Sequence, residues 1–155
     1  MLRNHKFLVR KATKEDVVDL WQWRNDFQTR ANSFSRRKIS FEKHWMWFFE
    51  SLKNPCRKIY VVLKREEKIG MVRLDFPNKE VVEVSININP NHRGQGWGTK
   101  ILKMISNSPK SKRAHQIFKA VVKTNNSASE KVFFTAGFTK VHEVKQQGYS
   151  VWVKS

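Results

Sequence analysis

The chain of 155 residues contains few of the features that define several classes of protein. Its single cysteine, Cys56, excludes an intrachain disulfide and a zinc site built from cysteines, and is typical of a reducing compartment. No stretch approaches the roughly 18 apolar residues that a membrane span requires. The N-terminus turns polar before a signal-peptide core can form. We therefore expect a cytoplasmic protein without a membrane segment.

Acidic residues are also scarce. Lysine and arginine number 31 against 13 aspartates and glutamates, which gives a formal net charge of +18. A field of this strength attracts anions, so we expect negatively charged ligands. The cluster Lys110, Lys112 and Arg113 and the run Arg36-Arg37-Lys38 raise the alternative of a nucleic-acid-binding module. Because no motif that reads DNA or RNA is present, we do not expect nucleic acid as the main partner.

The length fits a single domain, 1–155, and no linker or internal repeat divides it. Hydrophobic periodicity predicts the order βααβββαβαββ. Strands are predicted at 6–11, 57–64, 68–76, around Val84, and at 117–123, 138–144 and 149–154. Helices are predicted at 14–25, at 41–53, from near Gly98 and at 127–136. This order predicts an α/β (α+β) fold with a mixed, mostly antiparallel sheet of about seven strands, four helices and one parallel pair.

Two predicted helices carry aromatic residues at helical spacing. Thr13 and Ser40 are the expected N-caps of these helices. The apolar stripe of the first helix ends in a cation: Val17, Leu20, Trp21 and Arg24. The stripe of the second helix is predicted to be core, with His44 at its border: Phe41, Trp45, Phe48 and Leu52.

A glycine-rich turn lies between the strand around Val84 and the following helix. Gly94, Gly96 and Gly98 fall within five residues, so successive backbone amides can turn toward one point. The N-terminus of the helix adds its positive end there, and together these features predict a phosphate site. The turn matches neither the P-loop nor the dinucleotide-binding fingerprint. The alternative is a turn that uses glycine only for helix packing.

Two motifs in this half of the chain resemble those of the GCN5-related N-acetyltransferase (GNAT) superfamily. Arg93-Gly94-Gln95-Gly96-Trp97-Gly98 resembles its Arg/Gln-x-x-Gly-x-Gly/Ala motif. Asn126, Ser129 and Gly137-Phe138 resemble its downstream motif. The resemblance implies the GNAT fold, in which the sheet splays between its fourth and fifth strands to admit acetyl-coenzyme A. It implies an acetyl-CoA-dependent N-acetyltransferase, and no residue spacing supports a metal site.

The resemblance also implies where the cofactor binds. Backbone amides from Arg93 to Thr99 would contact the diphosphate, supplemented by the Arg93 side chain. Main-chain groups of Ile86 and Ile88 would pair with pantetheine, and Asn126 would bond the same arm. The implied cofactor-binding set is Ile86, Ile88, Arg93, Gly94, Gln95, Gly96, Trp97, Gly98, Thr99, Asn126, Ser129 and Phe133.

Catalysis requires a group that removes the proton of the attacking amine. Glu83 is the candidate base, and Ser85 and Asn87, which share the polar face of its predicted strand, complete the candidate catalytic set. A solvated or salt-bridged strand carboxylate is the alternative for Glu83. Where the superfamily usually has a tyrosine acid, this chain has Phe133, which carries no proton to donate. Protonation of the leaving thiolate by solvent or by Tyr149 remains open.

The N-terminal third bears on the acceptor. Trp23-Arg24-Asn25 and Glu42-x-His44 resemble superfamily members that acetylate nucleotide-linked amino sugars. The candidate substrate-binding residues are Trp21, Arg24, Asn25 and His44. The alternatives are a structural role for Arg24 and a packed, hydrogen-bonded side chain for His44. We expect an anionic small-molecule acceptor, most simply a sugar nucleotide, and a monomer or homodimer. A protein N-terminus or a lysine side chain is the alternative acceptor.

Overall fold

The computed structural model describes residues 2–4, 7–109 and 115–155. The chain divides into two compact units, which are described separately below. The first unit comprises Met1–Asp75 and Ser85–Arg93, and the second comprises Phe76–Val84 and Gly94–Ser155. The family resemblance covers parts of both units, and the prediction of one domain stays a prediction.

The observed elements follow the predicted order. The strands are β1 Leu2–Asn4, β2 Phe7–Lys11, β3 Arg57–Lys64, β4 Glu67–Asp75, β5 Val81–Ile88, β6 Ile117–Lys123, β7 Thr139–Val144 and β8 Tyr149–Lys154. The α-helices of the described residues are α1 Val17–Asn25, α2 Phe27–Ala31, α3 Phe41–Lys53, α4 Trp97–Ser106 and α5 Ser127–Thr135. Strand β1 and helix α2 were not predicted. Every predicted element is present, and the first helix begins as a 3-10 turn at Lys14–Asp16.

The first unit contains an antiparallel meander. Strand β1 pairs with β2, β2 with β3, and β3 with β4. The predicted hairpin of β3 and β4 is confirmed, with Lys64 opposite Glu67 at its end. Helices α1 and α3 pack on this meander, and the buried cluster between them is Ala12, Val17, Leu20, Trp23, Phe48, Ile59 and Val61.

The second unit contains the predicted parallel pair. Strand β6 pairs with β8 and β8 with β7, both antiparallel, whereas β5 and β6 run parallel. The β5–β6 register pairs run from Val81 with Ile117 to Glu83 with Lys119. Parallel strands need a long crossover connection, and α4 lies within it. The mixed α/β fold is therefore as predicted.

The predicted core stripe of α3 is wrong at three of its four positions. Phe41, Trp45 and Leu52 are 40%, 44% and 36% exposed, whereas Phe48 is fully buried. The buried residues of this helix are His44, Phe48 and Ser51. The hydrophobic pattern could not locate this face, because aromatic residues surround the helix and the packing against α1 and β3 selects one side.

The predicted stripe of α1 needs a similar correction. Val17, Leu20 and Trp23 are buried, whereas Trp21 and Arg24 are only half-buried. Residues three apart on a helix share a face, so Trp23 continues the line of Val17 and Leu20 as well as Trp21 does. The half-buried side chains remain available at the margin of the packed face.

A fully buried carboxylate holds the start of α1 to the meander. Asp16 receives a bidentate pair from Arg10 at 2.8 and 2.9 Å and contacts Lys68 Nζ at 2.8 Å. The backbone N–H of Thr13 donates to the same carboxylate at 2.8 Å. Burial by itself would raise the pKa of Asp16, but these hydrogen bonds lower it well below its usual range. The side chain therefore stays ionised in the folded protein.

We expect Asp16→Asn to lower the free energy of unfolding at pH 7 by about 3 kcal/mol, because it leaves two cations facing a neutral amide. A carboxyl group with a lowered pKa stabilises the fold above its unfolded pKa and loses that contribution as the pH falls. The difference from the parent protein should therefore shrink below about pH 4. Urea unfolding across this pH range measures both effects.

Asp19→Asn is the matched control, because the more exposed Asp19 carboxylate contacts the same Lys68 at 2.6 Å. It should lower the free energy of unfolding by less than about 1 kcal/mol. Equal losses in the two variants would show that the buried network contributes no more than a surface pair.

Candidate active site

The glycine-rich turn has the backbone shape that the sequence predicts. Gly94 and Gly96 have φ angles of +73° and +74°, in the left-handed region that favours glycine. A side chain built on either would meet nothing within 4 Å, so both face open space. Among the described residues, no carbonyl accepts a hydrogen bond from either amide. Because the ten-residue helix α4 begins next to them, the turn fits a diphosphate.

The third glycine of the turn has a different role. A Cβ added to Gly98 would lie 3.0 Å from Cγ1 of Val132, so this glycine allows α4 to approach α5 closely. The neighbouring Trp97 is buried and its indole N–H donates to Gln95 Oε1 at 3.2 Å. The close approach to Val132 fits the alternative in which Gly98 serves helix packing. The hydrogen bond between Trp97 and Gln95 lies within the turn.

The Arg93 side chain has partners in the first unit. Its Nη2 lies 2.7 Å from Asp26 Oδ2 and donates to Thr29 Oγ1 at 2.7 Å. Its Nη1 donates to Gln28 Oε1 at 3.0 Å. The donors of this guanidinium are directed at α2, and its predicted contact with the diphosphate stays a prediction. The backbone amides from Arg93 to Thr99 stay predicted diphosphate contacts.

The downstream motif caps a helix. Asn126 Oδ1 accepts from the Ser129 amide at 3.1 Å, and Asn126 Nδ2 donates to Ser129 Oγ at 2.7 Å. This pair closes the N-terminus of α5. Phe133 is 4% exposed and packs edge-on against Phe138, with ring centroids 5.1 Å apart. Its side chain therefore belongs to the core, and its contact with the cofactor stays a prediction.

The polar residues of β5 have different partners. In the second unit, Glu83 Oε1 lies 3.1 Å from Lys119 Nζ, and both side chains are partly exposed. This ion pair is the alternative that the sequence left open for Glu83. In the first unit, Ser85 Oγ accepts from Arg73 Nη2 at 3.2 Å, and Asn87 Oδ1 accepts from Thr29 Oγ1 at 3.4 Å. None of these contacts tests the predicted catalytic roles.

Ile86 and Ile88 are half-buried in the part of β5 that belongs to the first unit. A Cβ added to Gly70 of β4 would lie 3.0 Å from the Asn87 carbonyl oxygen and 3.0 Å from Ile88 Cδ1. The glycine therefore permits close approach to this part of β5. The predicted main-chain contacts of the two isoleucines to pantetheine stay predictions.

Two of the four predicted acceptor residues support a loop. Trp21 Nε1 and Asn25 Nδ2 both donate to the Ile39 carbonyl at 2.8 Å, and the Ile39 amide donates back to Asn25 Oδ1 at 2.8 Å. Trp21 also packs edge-on against Phe41 at 5.4 Å. These contacts hold the segment that leads into α3 against α1.

The other two predicted acceptor residues have unused polar atoms. Arg24 Nη2 donates to the Ser35 carbonyl at 3.2 Å, but Nη1 is buried and has no hydrogen-bond partner among the described residues. His44 is 4% exposed, and its Nε2 is likewise unpartnered. Burial, and secondly the positive charge of Arg24, lower the pKa of His44 to about 4. The imidazole is therefore neutral at pH 7 beside a cation.

A cavity of about 580 Å³ lies in the first unit, and Trp21 and Asn25 are the predicted acceptor residues among its lining, whereas Arg24 and His44 are not. Its lining is mostly polar: Asp19, Trp21, Gln22, Trp23, Asn25, Asp26, Lys38, Asn89, Pro90 and Asn91. Its volume suits a small-molecule ligand. The sequence reasoning missed Asp26, although an aspartate before a short helix is a recognisable N-cap signal.

Other predictions concern what the chain lacks. In the described ranges, no group of histidine, cysteine and carboxylate side chains could hold a metal ion, and no helix is long and apolar enough to cross a membrane. Cys56 is exposed. The run Arg36-Arg37-Lys38 is exposed, whereas Lys110, Lys112 and Arg113 lie outside the described residues.

Comparison with solved structures shows the fold. A spermidine N-acetyltransferase from Vibrio cholerae, solved with CoA and spermine, has a TM-score of 0.81 at 16% identity, covering 97% of this chain and 94% of that one. An aminoglycoside acetyltransferase AAC(6')-Ib with coenzyme A has a TM-score of 0.82 at 15% identity, covering 96% and 94%. The ribosomal L7/L12 alpha-N-protein acetyltransferase RimL with coenzyme A has 0.82 at 15%, covering 97% and 94%.

No curated protein matches this chain in sequence. The family model described as "Acetyltransferase (GNAT) domain" matches residues 6–139, which is most of the chain. The predicted GNAT fold is confirmed. The chain belongs to the GNAT acetyltransferase family and is an acetyl-CoA-dependent N-acetyltransferase.

Proposed function

We propose that this enzyme acetylates the primary amine of an anionic small molecule, and that a nucleotide-linked amino sugar is its acceptor. The observation that carries the proposal is the pair of buried, unpartnered atoms Arg24 Nη1 and His44 Nε2. A buried cation without a carboxylate partner is unfavourable, and a phosphate or carboxylate of a ligand would offset this cost. An anion bound there would also raise the pKa of His44 and add a second charged donor.

The net charge supports an anionic acceptor. Spermidine and aminoglycosides, which the similar enzymes bind, are polycations, and a chain of net charge +18 repels such molecules. The cavity of the first unit adds two indoles and several amide side chains, which suit the faces and hydroxyls of a sugar or base. The two carboxylates of its lining, Asp19 and Asp26, are paired with Lys68 and Arg93. Trp21 and Asn25 would then act mainly by holding the walls in place.

The coenzyme side of the proposal depends on the glycine-rich turn. The amides of Gly94 and Gly96 and the N-terminus of α4 would bind the diphosphate, since no carbonyl of the described residues accepts from either amide. Main-chain groups of Ile86 and Ile88 would pair with pantetheine as an added strand does. Bound acetyl-CoA supplies an activated thioester, so the chain's own residues need only bind and orient both substrates and remove a proton.

We expect Gly96→Asp to weaken CoA binding about tenfold more than Gly96→Asn, because the two side chains match in size and only one places a negative charge beside the diphosphate. Both residues tolerate a positive φ angle better than other side chains do, so the backbone strain is shared. Calorimetric titration with CoA measures the difference. Equal affinities of the two variants for CoA would show that the diphosphate does not bind at this turn.

Glu83 remains the proposed general base. Its carboxylate lies 3.1 Å from Lys119 Nζ and is partly exposed, so an amine or a bridging water can reach it. The amine nitrogen would attack the thioester carbonyl carbon, the carbon–sulfur bond would break, and Glu83 would take the amine proton directly or through water. The thiolate would leave and be protonated by solvent or by Tyr149, because Phe133 has no proton to donate.

Glu83→Gln should lower kcat by about 100-fold, and most strongly at low pH, where the amine is protonated and most needs a base. The exposed Glu80 precedes the same strand, so Glu80→Gln is the matched control and should keep the parental rate. The pH profile of the free-thiol release rate measures both variants. A parental profile in Glu83→Gln would exclude this residue as the base.

An acceptor panel tests the central proposal. We expect UDP-, CMP- or dTDP-linked amino sugars to release free thiol from acetyl-CoA faster than spermidine, kanamycin or a peptide with an acidic N-terminus. Efficient turnover of the polycations alone would overturn the anionic acceptor. Fastest turnover of the peptide would favour a protein N-terminus instead.

Arg24→Ala should raise the KM of the best anionic acceptor about tenfold and leave the affinity for CoA unchanged, because it removes uniform binding of the acceptor. Arg37→Ala removes the same charge from an exposed position in the loop after α2 and serves as the control. Equal weakening of acceptor and CoA by Arg24→Ala would indicate a structural role for this arginine.

A further inference from the structure

The side chain of Arg93 joins the start of the diphosphate turn to the N-terminus of α2. Arg93 immediately precedes Gly94, so the position of its backbone sets where the turn begins. Its guanidinium has three acceptors, and all belong to the cap or first turn of α2: Asp26, Gln28 and Thr29. Because a guanidinium is planar and its N–H donors have a fixed geometry, hydrogen bonds to three acceptors leave the Arg93 side chain little conformational freedom.

The acceptors are themselves fixed. Asp26 caps α2, because its Oδ2 accepts from the Thr29 amide at 3.0 Å. Thr29 Oγ1 also donates to Asn87 of β5 at 3.4 Å. Burial alone would raise the pKa of Asp26, but the Thr29 amide and the Arg93 guanidinium lower it below its ordinary value. Asp26 therefore faces Arg93 as a carboxylate at neutral pH.

We infer that Asp26 is a positioning residue for coenzyme binding, because it fixes Arg93 and thereby orders the first residue of the diphosphate turn. The inference rests on the proposal that residues 93–99 bind the diphosphate. A turn that is already ordered loses less conformational freedom when the ligand binds, so the pair strengthens binding without touching the ligand. Arg93 acts here through its backbone, not as a cation on the phosphate.

The same pair also reaches the acceptor cavity, because Asp26 lines that cavity in the first unit. Asn25 and Arg30, on either side of Asp26, are joined by a further bond from Arg30 Nε to the Asn25 carbonyl at 3.0 Å. Displacement of Asp26 would therefore disturb the junction of α1 and α2 as well as the turn. Asp26 therefore lines the cavity and holds the Arg93 side chain, and both contacts lie within the first unit.

The direction in which Asp26→Asn changes the affinity for CoA distinguishes a positioning role of Arg93 from direct contact with the phosphate. If Arg93 is a positioning group, Asp26→Asn loosens it and weakens CoA binding by about tenfold, the usual effect of losing a charged hydrogen bond. If Arg93 were a phosphate ligand held back by Asp26, the same substitution would free it and tighten CoA binding. Calorimetric titration of the full chain with CoA measures the change.

A double-mutant cycle completes the test. Arg93→Gln and Asp26→Asn should each weaken CoA binding, and the double variant should be no weaker than either single variant, since both remove one interaction. Arg93→Lys should not restore affinity, because a lysine cannot reproduce the planar fork. Glu50→Gln, which removes an exposed carboxylate elsewhere in the first unit, should keep the parental affinity. Thermal unfolding of each variant checks that it is folded.

Tighter CoA binding in Asp26→Asn, parental binding in this variant, or additive losses in the double variant would each overturn the inference. Failure of the underlying proposal looks different, because Gly96→Asp and Gly96→Asn would then bind CoA equally well. If the Gly96 pair differs while Asp26→Asn binds as the parent does, the diphosphate site stands and only the positioning role of Asp26 fails.

Discussion

The buried carboxylate of Asp16 is the interaction on which the order of the first unit most depends. It joins Arg10 of β2, Lys68 of β4 and the backbone before α1, so a single side chain ties the helix to the meander. Its desolvation is compensated by several charged hydrogen bonds, which is the condition under which a buried charge is tolerated.

Elsewhere in the first unit, some polar side chains have hydrogen-bond partners and others bury an atom that has none among the described residues. Trp21 and Asn25 direct their hydrogen bonds to the backbone of Ile39, and so maintain the wall of a cavity. Arg24 and His44 each bury a polar atom that has no hydrogen-bond partner in the described part of the chain. Native proteins rarely leave buried polar atoms unpaired, and the proposed anionic acceptor would supply the partner for these two.

Much of the fold was predictable because its signals are local. Ser40 accepts from the Lys43 amide, as an N-cap should, and α3 runs over the predicted residues. The alternation of apolar and polar residues predicted β5, and the helix in the connection from β5 to β6 indicated that these two strands are parallel. Helix α2 was missed because it has five residues and no hydrophobic period, while its existence depends on Asp26 and on the Arg93 side chain.

The sequence alone determined the family, the element order and the left-handed glycines of the turn, because these depend on residue type and on spacing along the chain. Tertiary structure decided which aromatic side of α3 is buried, which partner the Arg93 guanidinium has, and that Glu83 faces Lys119. Those outcomes depend on groups far apart in sequence, and hydrophobic pattern or charge count cannot specify which of several similar side chains will meet.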